Sequence, residues 1–457
     1  MRPPKPKPRQ DRVSIIRYIR LFRRDILSAQ PQRLYRAWMA EFKTPFFRSY
    51  LLNQPSLIEE VLKKRPEDFP KSDRVGEGLR PLLGNSVFLT NGATWERQRR
   101  IIDPAFEGGR LKEAFPAMVA AADAAVARLG RMSSKDSIEI EEVTSHAAAD
   151  VIFRTLFSMP IDDDMAARIF TEFRAYQRTQ PILNLAAFVP LPKWMPRLRK
   201  IKTNQTAKRI RRLITSMTNA RHIEITSGNA PNDLATKIMT TSDPESGEVF
   251  STEEMVDQVA IFFLAGHETS ASALAWSLFL LASDQATQQK VSIEVGFVNM
   301  TGITFSMLSQ LPLTRDVFRE ALRLYPPVPM MVRETTQPEH FRNRDLPNKA
   351  QVVISPWHIQ RHERFWDRPD DFDPSRWQTE SGKKSAREAY LPFSAGRRVC
   401  TGAGFAMAEG VLILAKLIND FEFKLDLTRP PIPQAHLTVR SRNGIWLQAR
   451  PRHSLKK

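Results

Sequence analysis

The segment FSAGRRVCTG, residues 393–402, contains the one cysteine of this 457-residue chain, Cys400. A single thiol excludes an internal disulfide, a zinc ribbon and an iron–sulfur cluster held by several cysteines. Gly396 and Gly402 lie on either side of it, and glycine can adopt a positive φ and let the backbone approach a flat ligand closely. Residues 404–417 are predicted to form a helix whose N-terminal N–H groups would stabilise a thiolate. A thiolate with no second soft ligand points to an iron already held by a macrocycle, which is haem.

The composition is that of a globular protein, with 42% hydrophobic and 26% charged residues. Glycine is scarce, with 18 residues, and proline is plentiful, with 33. This balance favours long helices joined by stiff connectors over an all-β fold turned by glycines. Residues 46–52 and 351–355 are the two segments predicted to be strands. We therefore expect one large, mainly α domain with small β-sheets.

Residues 260–283 form the most apolar stretch of the chain. Its length of about 20 residues could span a bilayer, but the polar cluster HETS at residues 267–270 would be costly in lipid. A capping box beginning at Ser251 extends the segment to a helix of about 30 residues, which suits a helix crossing the core of a large domain. Gly266 and Thr269 can loosen the backbone hydrogen bonds of this helix at the polar cluster.

The pattern Phe-x-x-Gly-x-Arg-x-Cys-x-Gly of residues 393–402 resembles the haem loop of the cytochrome P450 family. The resemblance implies a single mainly helical domain, haem b bound by Cys400, and activation of O₂ by two electrons from a partner protein. It also implies that Phe393, Arg398 and Gly402 contact the haem. Other motifs of the family occur in the expected order across nearly the whole chain.

The polar cluster and the two residues before it, AGHETS at residues 265–270, resemble the oxygen-binding groove of the family's central helix. A carboxylic acid beside an alcohol is suited to supply protons, which is a general-acid role. A zinc-protease site is excluded because the second histidine of His-Glu-x-x-His would fall on Ala271. A helix merely kinked by polar residues remains the alternative. The resemblance assigns catalytic roles to Ala265, Gly266, Glu268 and Thr269.

Glu320 and Arg323, followed by YPP at residues 325–327, resemble the family's Glu-x-x-Arg motif. Side chains three residues apart on a helix share one face and can form an ion pair. The family adds a third member from a Pro-Glu-Arg-Phe stretch. Here residues 374–377 read PSRW, so Arg376 is kept while serine and tryptophan replace glutamate and phenylalanine. We expect a buried structural pair behind the cysteine loop, with Arg376 as its third member.

Trp95 and Arg99 match the family's Trp-x-x-x-Arg motif. An indole N–H and a guanidinium one helical turn apart are suited to a haem propionate. Arg333 stands where the family often has another propionate contact. Together with Arg398, these residues would neutralise two carboxylates in a poorly hydrated pocket, where unpaired charges are costly. A basic solvated helix face, which includes Arg97, is the alternative for the first pair.

The expected activity is that of a haem-thiolate monooxygenase, which inserts one atom of O₂ into an apolar substrate and reduces the other to water. The motifs most resemble those of members acting on fatty acids, alkanes or terpenoids, which is an analogy within the family. A peroxide-driven peroxygenase or isomerase and a basic haem-binding protein without turnover are the rival functions. The residues expected to line the substrate pocket are Phe262, Ala265, Thr269, Val328, Met330 and Met331, although the two methionines could instead fill gaps in the core.

The chain has 68 basic and 50 acidic residues, a net charge of +18. Only 57 residues follow Cys400, so we expect no reductase domain at that end. The charge predicts a separate acidic electron donor, such as a ferredoxin with its reductase, or a comparable partner. Nucleic acid is not expected as a partner, because the one dense basic cluster is at the N-terminus.

Residues 1–30 are predicted to be a basic, proline-rich extension with an amphipathic helix, and residues 31–457 the haem domain. The first 24 residues carry nine basic groups and one acidic group. This helix either packs on the domain or attaches peripherally to an anionic membrane. The expected location is the cytoplasm, with a mitochondrial presequence as a minor alternative. From Ser14 to Leu27 the expected apolar face holds Ile15, Ile19, Phe22 and Ile26, and the opposite face holds Arg17, Arg20 and Arg24.

Overall fold

The computed structural model describes residues 1–43, 48–107, 109–179, 201–435 and 437–452. Helices dominate these residues, as predicted. The α-helices are α1 (Ile15–Arg24), α2 (Pro55–Glu59), α3 (Asp73–Gly76), α4 (Arg80–Leu83), α5 (Gly92–Ile102), α6 (Arg110–Met132), α7 (Ile140–Phe157), α8 (Asp164–Thr179), α9 (Ile201–Thr226), α10 (Leu234–Thr240), α11 (Thr252–Ser283), α12 (Gln285–Gly296), α13 (Pro312–Leu324), α14 (Pro356–Ile359), α15 (Glu380–Ala389) and α16 (Ala403–Asp420).

The strands are short and form small sheets, also as predicted. They are β1 (Met39–Lys43), β2 (Arg48–Leu52), β3 (Ile138–Glu139), β4 (Met331–Glu334), β5 (Glu339–Phe341), β6 (Arg344–Leu346), β7 (Gln351–Ile354), β8 (Phe421–Leu425), β9 (Pro433–Ala435), β10 (Val439–Ser441) and β11 (Trp446–Pro451). The smaller sheets have the orders β3-β11-β8, β9-β10 and β5-β6.

The largest sheet has the strand order β1-β2-β7-β4. Strands β1 and β2 are antiparallel, β2 and β7 are parallel, and β7 and β4 are antiparallel. In the last pair Arg333 lies opposite Val352. A backbone bridge also joins Arg333 to Lys71 in the segment after α2. The sheet therefore fixes the position of one expected haem-binding residue and brings Lys71 beside it.

Helix α11 crosses the core, and its 32 residues begin at the predicted capping box. The Ser251 hydroxyl accepts from the Glu254 N–H, and the Glu254 carboxylate accepts from the Ser251 N–H. Near its C-terminal end, Trp276 stacks on Tyr325 with ring centroids 3.9 Å apart. Within the part of the chain that the structure describes, no helix is both long and apolar enough to cross a membrane.

A fully buried ion pair joins Glu320 and Arg323 on α13. Their oxygen and nitrogen atoms meet at 2.7 and 2.8 Å, and the Arg376 Nε donates to Glu320 at 2.9 Å. The structure thus brings together the three residues expected from the sequence, although two neighbours of Arg376 differ from the family pattern. Breaking such a buried pair by removing one partner typically costs about 3–5 kcal/mol.

The same arginine organises the chain between α14 and α15. The two Nη atoms of Arg323 donate to the carbonyls of Gln360, Pro369 and Asp371 at 2.9, 2.6 and 2.9 Å. The Arg376 Nη2 also donates to the Asp371 carbonyl, at 3.2 Å. A buried charge whose N–H groups all have acceptors therefore fixes the path of an otherwise irregular segment.

Residues 1–5, which we call the N-terminal strap, lie against this irregular segment. The Phe372 N–H donates to the Met1 carbonyl at 2.8 Å. The hydroxyl of the buried Tyr325 donates to the Pro4 carbonyl at 2.7 Å. The first residues of the chain therefore close over the segment that carries the acceptors of Arg323.

A side-chain contact adds to these backbone contacts of the strap. The Lys5 ammonium pairs with the Asp370 carboxylate and lies 4.7 Å from the ring centroid of Tyr35. Asp370 also lies 3.5 Å from the Nε of Arg361, a buried guanidinium whose Nε and Nη1 make no hydrogen bond to a described residue. Lys5 is therefore half-buried between a carboxylate and an aromatic ring.

We expect Lys5→Met to lower the free energy of unfolding by about 1 kcal/mol, because it removes one partly buried ion pair and one cation–π contact. Thermal and urea unfolding monitored by circular dichroism measure the change. Lys7→Met is the matched control, since Lys7 is exposed and has no acidic partner within 4 Å among the described residues. Equal effects of the two substitutions would show that the strap contact does not stabilise the fold.

Candidate active site

The cysteine loop connects a short helical turn to α16. The Cys400 N–H donates to the Phe393 carbonyl at 2.9 Å. Gly396 has a φ of 71°, and a Cβ there would lie 2.0 Å from the Leu62 carbonyl oxygen. Glycine is therefore required at this position, both by conformation and by space.

Gly402 differs from Gly396 in its backbone conformation. Its φ is −86°, so it does not use the positive-φ region that glycine allows. A Cβ at Gly402 would meet no protein atom within 4 Å. Neither the backbone conformation nor the packing of the protein accounts for this glycine, which leaves close approach of a bound group as its expected role.

Cys400 is accessible, although protein atoms surround its thiol closely enough for burial to shift its pKa. Burial of its surroundings raises the pKa of the Cys400 thiol, while the Gly402 N–H and the Arg99 guanidinium lower it. The N–H groups at the start of α16 thus stabilise a thiolate as expected, but burial has the larger effect on the pKa of the thiol. Coordination to a metal ion deprotonates a thiol outright.

One face of α11 is accessible in a helix that is otherwise mostly buried. Ala265 is exposed and Phe262 and Thr269 are half-buried, at positions that share a helix face. The Thr269 hydroxyl donates to the Ala265 carbonyl at 2.6 Å. This apolar face with one hydroxyl is the one expected from the sequence to line a substrate pocket.

Gly266 has a packing role that the sequence did not indicate. A Cβ at Gly266 would lie 2.4 Å from the Ile152 side chain on α7. The glycine therefore lets α7 and α11 pack closely. The helix runs through the polar cluster without interruption, so the expected loosening is limited to the bond that Thr269 makes to a backbone carbonyl.

Glu268 is buried beneath the β9–β10 hairpin. One carboxylate oxygen lies 3.3 Å from the Thr438 hydroxyl and 3.3 Å from the Arg440 guanidinium. The other carboxylate oxygen has no partner among the described residues. Burial raises the pKa of Glu268, and Arg440 opposes this shift. The acid expected beside Thr269 therefore interacts with the hairpin and is disposed to hold a proton.

A second buried acid, Glu409 on α16, lies against the same part of α11. The Ser270 hydroxyl donates to one Glu409 oxygen at 2.8 Å, and the other oxygen has no partner in the described part of the chain. Burial raises the pKa of Glu409 to about 8. Sequence reasoning missed this residue, although an acid within the apolar segment of residues 404–417 was a signal for a buried interaction.

Aromatic side chains connect the accessible face of α11 to the helix that follows the cysteine. The Phe262 and Phe106 ring centroids are 5.8 Å apart, and those of Phe106 and Phe405 are 6.4 Å apart. Val328 is 37% exposed, whereas Met330 and Met331 are partly buried and pack on core side chains. Met330 and Met331 thus contact the core, as gap-filling residues would. Phe262 was predicted to line the pocket, whereas Phe106 and Phe405 were not.

Trp95 is the centre of a cluster of cations on α5 and the cysteine loop. Its side chain is 3% exposed, which excludes the alternative of a solvated face for this residue. The guanidinium carbons of Arg398, Arg99 and Arg397 lie 5.2, 5.7 and 5.9 Å from its ring centroid. The Lys71 ammonium lies 5.5 Å from the same centroid.

Protein groups satisfy Arg99 and Lys71 through hydrogen bonds. Arg99 donates to the Asp103 carboxylate at 2.8 Å and to the Val399 carbonyl at 2.9 Å. The Lys71 ammonium donates to the carbonyls of Val87 and Thr90 at 2.7 and 2.9 Å. Both acceptors of Lys71 are neutral carbonyl groups, so these contacts do not match its positive charge with a carboxylate.

Arg333 and Arg398 are less well satisfied. Arg333 donates to the Val332 carbonyl at 3.1 Å, and Arg398 donates to the Pro66 carbonyl at 2.5 Å and lies 3.4 Å from Glu67. The Nε atoms of both arginines are buried and lack a partner among the residues described here. Each of these two guanidinium groups thus has an N–H donor without an acceptor among the described residues.

The cations of this cluster destabilise one another. Burial and the neighbouring arginines lower the pKa of Lys71 to about 6, and burial and Arg398 lower the pKa of Arg333 to about 10. Such a cluster is costly without negative charge to match it. Two carboxylates of a haem would supply that charge, so the residues fit this cofactor. Lys71 gave no sequence signal, because its place depends on the bridge to β4.

Comparisons with known proteins show the family to which the chain belongs. The family model described as cytochrome P450 matches residues 32–447. Cytochrome P450 4A14 of Rattus norvegicus is 30% identical over 430 residues, which cover 90% of this chain and 82% of that protein. Cyclooctatin synthase of Streptomyces melanosporofaciens is 30% identical over 417 residues, covering 89% and 84%.

A second protein of Streptomyces melanosporofaciens, cyclooctat-9-en-7-ol 5-monooxygenase, is 31% identical over 384 residues, covering 82% of this chain and 80% of that protein. The crystal structure of a cytochrome P450DA mutant haem domain has the same fold, with a TM-score of 0.79 at 22% identity over 91% of this chain and 90% of that chain. The chain therefore belongs to the cytochrome P450 family, as a mainly helical monooxygenase that binds haem b.

Proposed function

We propose that the chain oxidises an apolar substrate of the fatty-acid, alkane or terpenoid class, with electrons from a separate acidic ferredoxin and its reductase. The accessible face Phe262–Ala265–Thr269 is the observation that carries the proposal, because it offers apolar groups and one hydroxyl. Cyclooctat-9-en-7-ol 5-monooxygenase is by its name an enzyme that oxidises an unsaturated alcohol. A relative acting on such a molecule supports an apolar substrate here.

In this proposal Cys400 would hold the haem iron through its sulfur, and the cationic cluster around Trp95 would bind the propionates. The chemistry that the haem supplies when bound is the activation of O₂. Lys71 gains a charged partner when a carboxylate enters the cluster, and the free Nε atoms of Arg333 and Arg398 gain acceptors. The chain thus binds and orients the cofactor through groups that its own side chains leave unsatisfied.

Glu268 and Thr269 hold and move protons in this proposal. The raised pKa of Glu268 keeps a proton available at its carboxyl group. The Thr269 hydroxyl lies on the accessible face and would exchange its bond to the Ala265 carbonyl for one to a bound group when it passes a proton on. Retention of this acid and alcohol favours a monooxygenase over a peroxygenase or isomerase, which needs no protons from the protein to reduce O₂. It also favours catalysis over incidental haem binding.

Thr269→Ala is expected to lower the product formed per electron pair at least about tenfold, since general-acid groups contribute about 10²- to 10⁴-fold. The electrons are expected to appear as hydrogen peroxide, while the haem content stays unchanged. Ser277→Ala is the matched control, because Ser277 donates to the carbonyl four residues earlier on the same helix, at 2.7 Å. Unchanged coupling in Thr269→Ala would remove the proton role.

Titration of the haem Soret band tests the substrate class. We expect a saturated fatty acid, a linear alkane or a terpenoid alcohol to shift the iron spin state, whereas succinate should not. Ala265→Leu adds methylene groups to the accessible face and is expected to weaken binding by about 1–3 kcal/mol, the usual range for overpacking. Affinity that is unchanged in this variant would place the substrate elsewhere.

The electron donor is expected at Lys63 and Lys64, which are exposed and adjoin the cysteine loop through the contact of Gly396 with Leu62. Other cations nearby are offset by acids. Arg100 pairs with Asp243 at 2.5 Å, and Arg397 pairs with two glutamates at 3.1 and 3.0 Å. Lys63 has no acidic partner within 4 Å among the described residues, and Lys64 lies 4.0 Å from the Glu60 carboxylate. These two exposed lysines are therefore the charges that we expect an acidic partner to meet on this side.

Reversal of both charges, Lys63→Glu with Lys64→Glu, is expected to lower the kcat/KM for an acidic ferredoxin by about tenfold at low salt, with a smaller effect at high salt. Stopped-flow reduction of the haem measures it. The control is Arg131→Glu with Lys135→Glu, two exposed residues at the far end of α6, roughly 30 Å from the end beside the cysteine loop. Equal losses in both variants, or kinetics insensitive to salt, would contradict this docking surface.

A further inference from the structure

Helix α1 has an outer face that the rest of the protein leaves uncovered. Ile16 is 72% exposed and Ile19 is 41% exposed, one helical turn apart. The expected apolar face is only partly correct. Phe22 packs on the main core and Ile26 is buried beyond the end of the helix, whereas Ile16 was not expected among the apolar residues of either face.

The exposed isoleucines lie among arginines without acidic partners. No acidic residue occurs between Asp11 and Asp25. The arginines of this stretch are all exposed, and none has a carboxylate within 4 Å among the described residues. They are Arg12, Arg17, Arg20, Arg23 and Arg24. The outer face of α1 thus combines exposed apolar groups with a local excess of positive charge.

The orientation of α1 is fixed at both ends. Before the helix, the Arg9 N–H donates to the Gln30 carbonyl at 3.0 Å, and the Ser14 hydroxyl caps the first turn. After it, the Asp25 carboxylate accepts from the Ala435 N–H at 2.9 Å. The helix therefore presents its outer face in one direction, and does not need to fold when a partner arrives.

The β9–β10 hairpin continues this surface. The Gln434 side chain donates to the Arg24 carbonyl, so the hairpin adjoins the C-terminal end of α1. Beside it, Ile432 is 39% exposed and Leu437 is 36% exposed. We define the α1 surface as the outer face of α1 together with these two residues.

We propose that the α1 surface binds the surface of an anionic lipid bilayer, with Ile16 and Ile19 inserted at the level of the headgroups and the arginines beside the phosphates. The chemistry of the two partners is complementary, because an anionic bilayer offers both negative charge and apolar groups within a few ångströms of each other. Nucleic acid offers negative charge without an apolar layer, which leaves the isoleucines unused. This proposal is independent of the substrate and the electron donor.

Cosedimentation of the purified holoprotein with phospholipid vesicles tests it. We expect binding to vesicles of phosphatidylcholine with phosphatidylglycerol, little binding to phosphatidylcholine alone, and weaker binding as salt is added. Ile16→Ser with Ile19→Ser keeps every charge, and it should lower the partition coefficient at least about tenfold, because buried isoleucine side chains contribute substantially. The haem spectrum and the unfolding midpoint should stay unchanged, since both residues are exposed.

Two matched controls separate this site from the general charge of +18. Ile293→Ser removes a comparably exposed isoleucine, 52% accessible, on α12 and should leave binding unchanged. Arg131→Gln with Lys135→Gln removes two exposed charges that are not part of the α1 surface, and it should have a smaller effect than Arg17→Gln with Arg20→Gln. Vesicle binding that persists after the α1 isoleucine substitutions would overturn the proposal.

Other results would also contradict the proposal that the α1 surface binds an anionic bilayer. Absence of binding, or equal binding to both kinds of vesicle, would exclude an anionic bilayer. A gel shift with duplex DNA that the same isoleucine substitutions abolish would assign the α1 surface to nucleic acid. A dimer in size-exclusion chromatography that those substitutions dissociate would assign it to a second copy of the chain.

Discussion

The buried ion network of Glu320, Arg323 and Arg376 is the constraint on which the rest of the structure depends. Charges removed from water must be matched by other charges and by hydrogen bonds, or the fold is lost. Because Arg323 uses carbonyl acceptors from residues 360–371, its position determines the path of a segment with little regular structure. The N-terminal strap closes over that segment, so the beginning of the chain depends on the same network.

Lys71 and Arg333, in the cluster around Trp95, differ from the buried ion network in the groups that accept their hydrogen bonds. Arg323 finds its negative charge inside the chain, whereas Lys71 and Arg333 receive neutral acceptors and lose basicity through burial. An arrangement that lowers stability in the protein alone is accounted for when a dianionic ligand completes it. The same electrostatic rule thus separates residues that build the scaffold from residues that bind a cofactor, and it does so without reference to a motif.

The parts of this fold that the sequence predicted correctly depend on short spacings. The capping box at Ser251, the helix after Cys400 and the pairing of Glu320 with Arg323 each involve residues a few positions apart. The parts that it missed join distant segments. Gly266 meets Ile152, and the bonds of Ser270 to α16 and of Lys71 to its acceptors depend on how whole helices and strands pack. Such contacts leave no periodic signal in a single sequence.

The net charge calculated from the sequence does not show where the unpaired charges lie in the fold. The excess of +18 predicted an acidic partner, yet arginines near the cysteine loop such as Arg100 and Arg397 are paired with acids in the fold. Among the described residues, positive charge without a close counterion is instead found at Lys63, beside the loosely paired Lys64, and on the outer face of α1. Salt screens interactions over about 8–10 Å, so two separate patches attract different partners and do not act as one field. The location of unpaired charge, and not its total, therefore decides what this protein attracts.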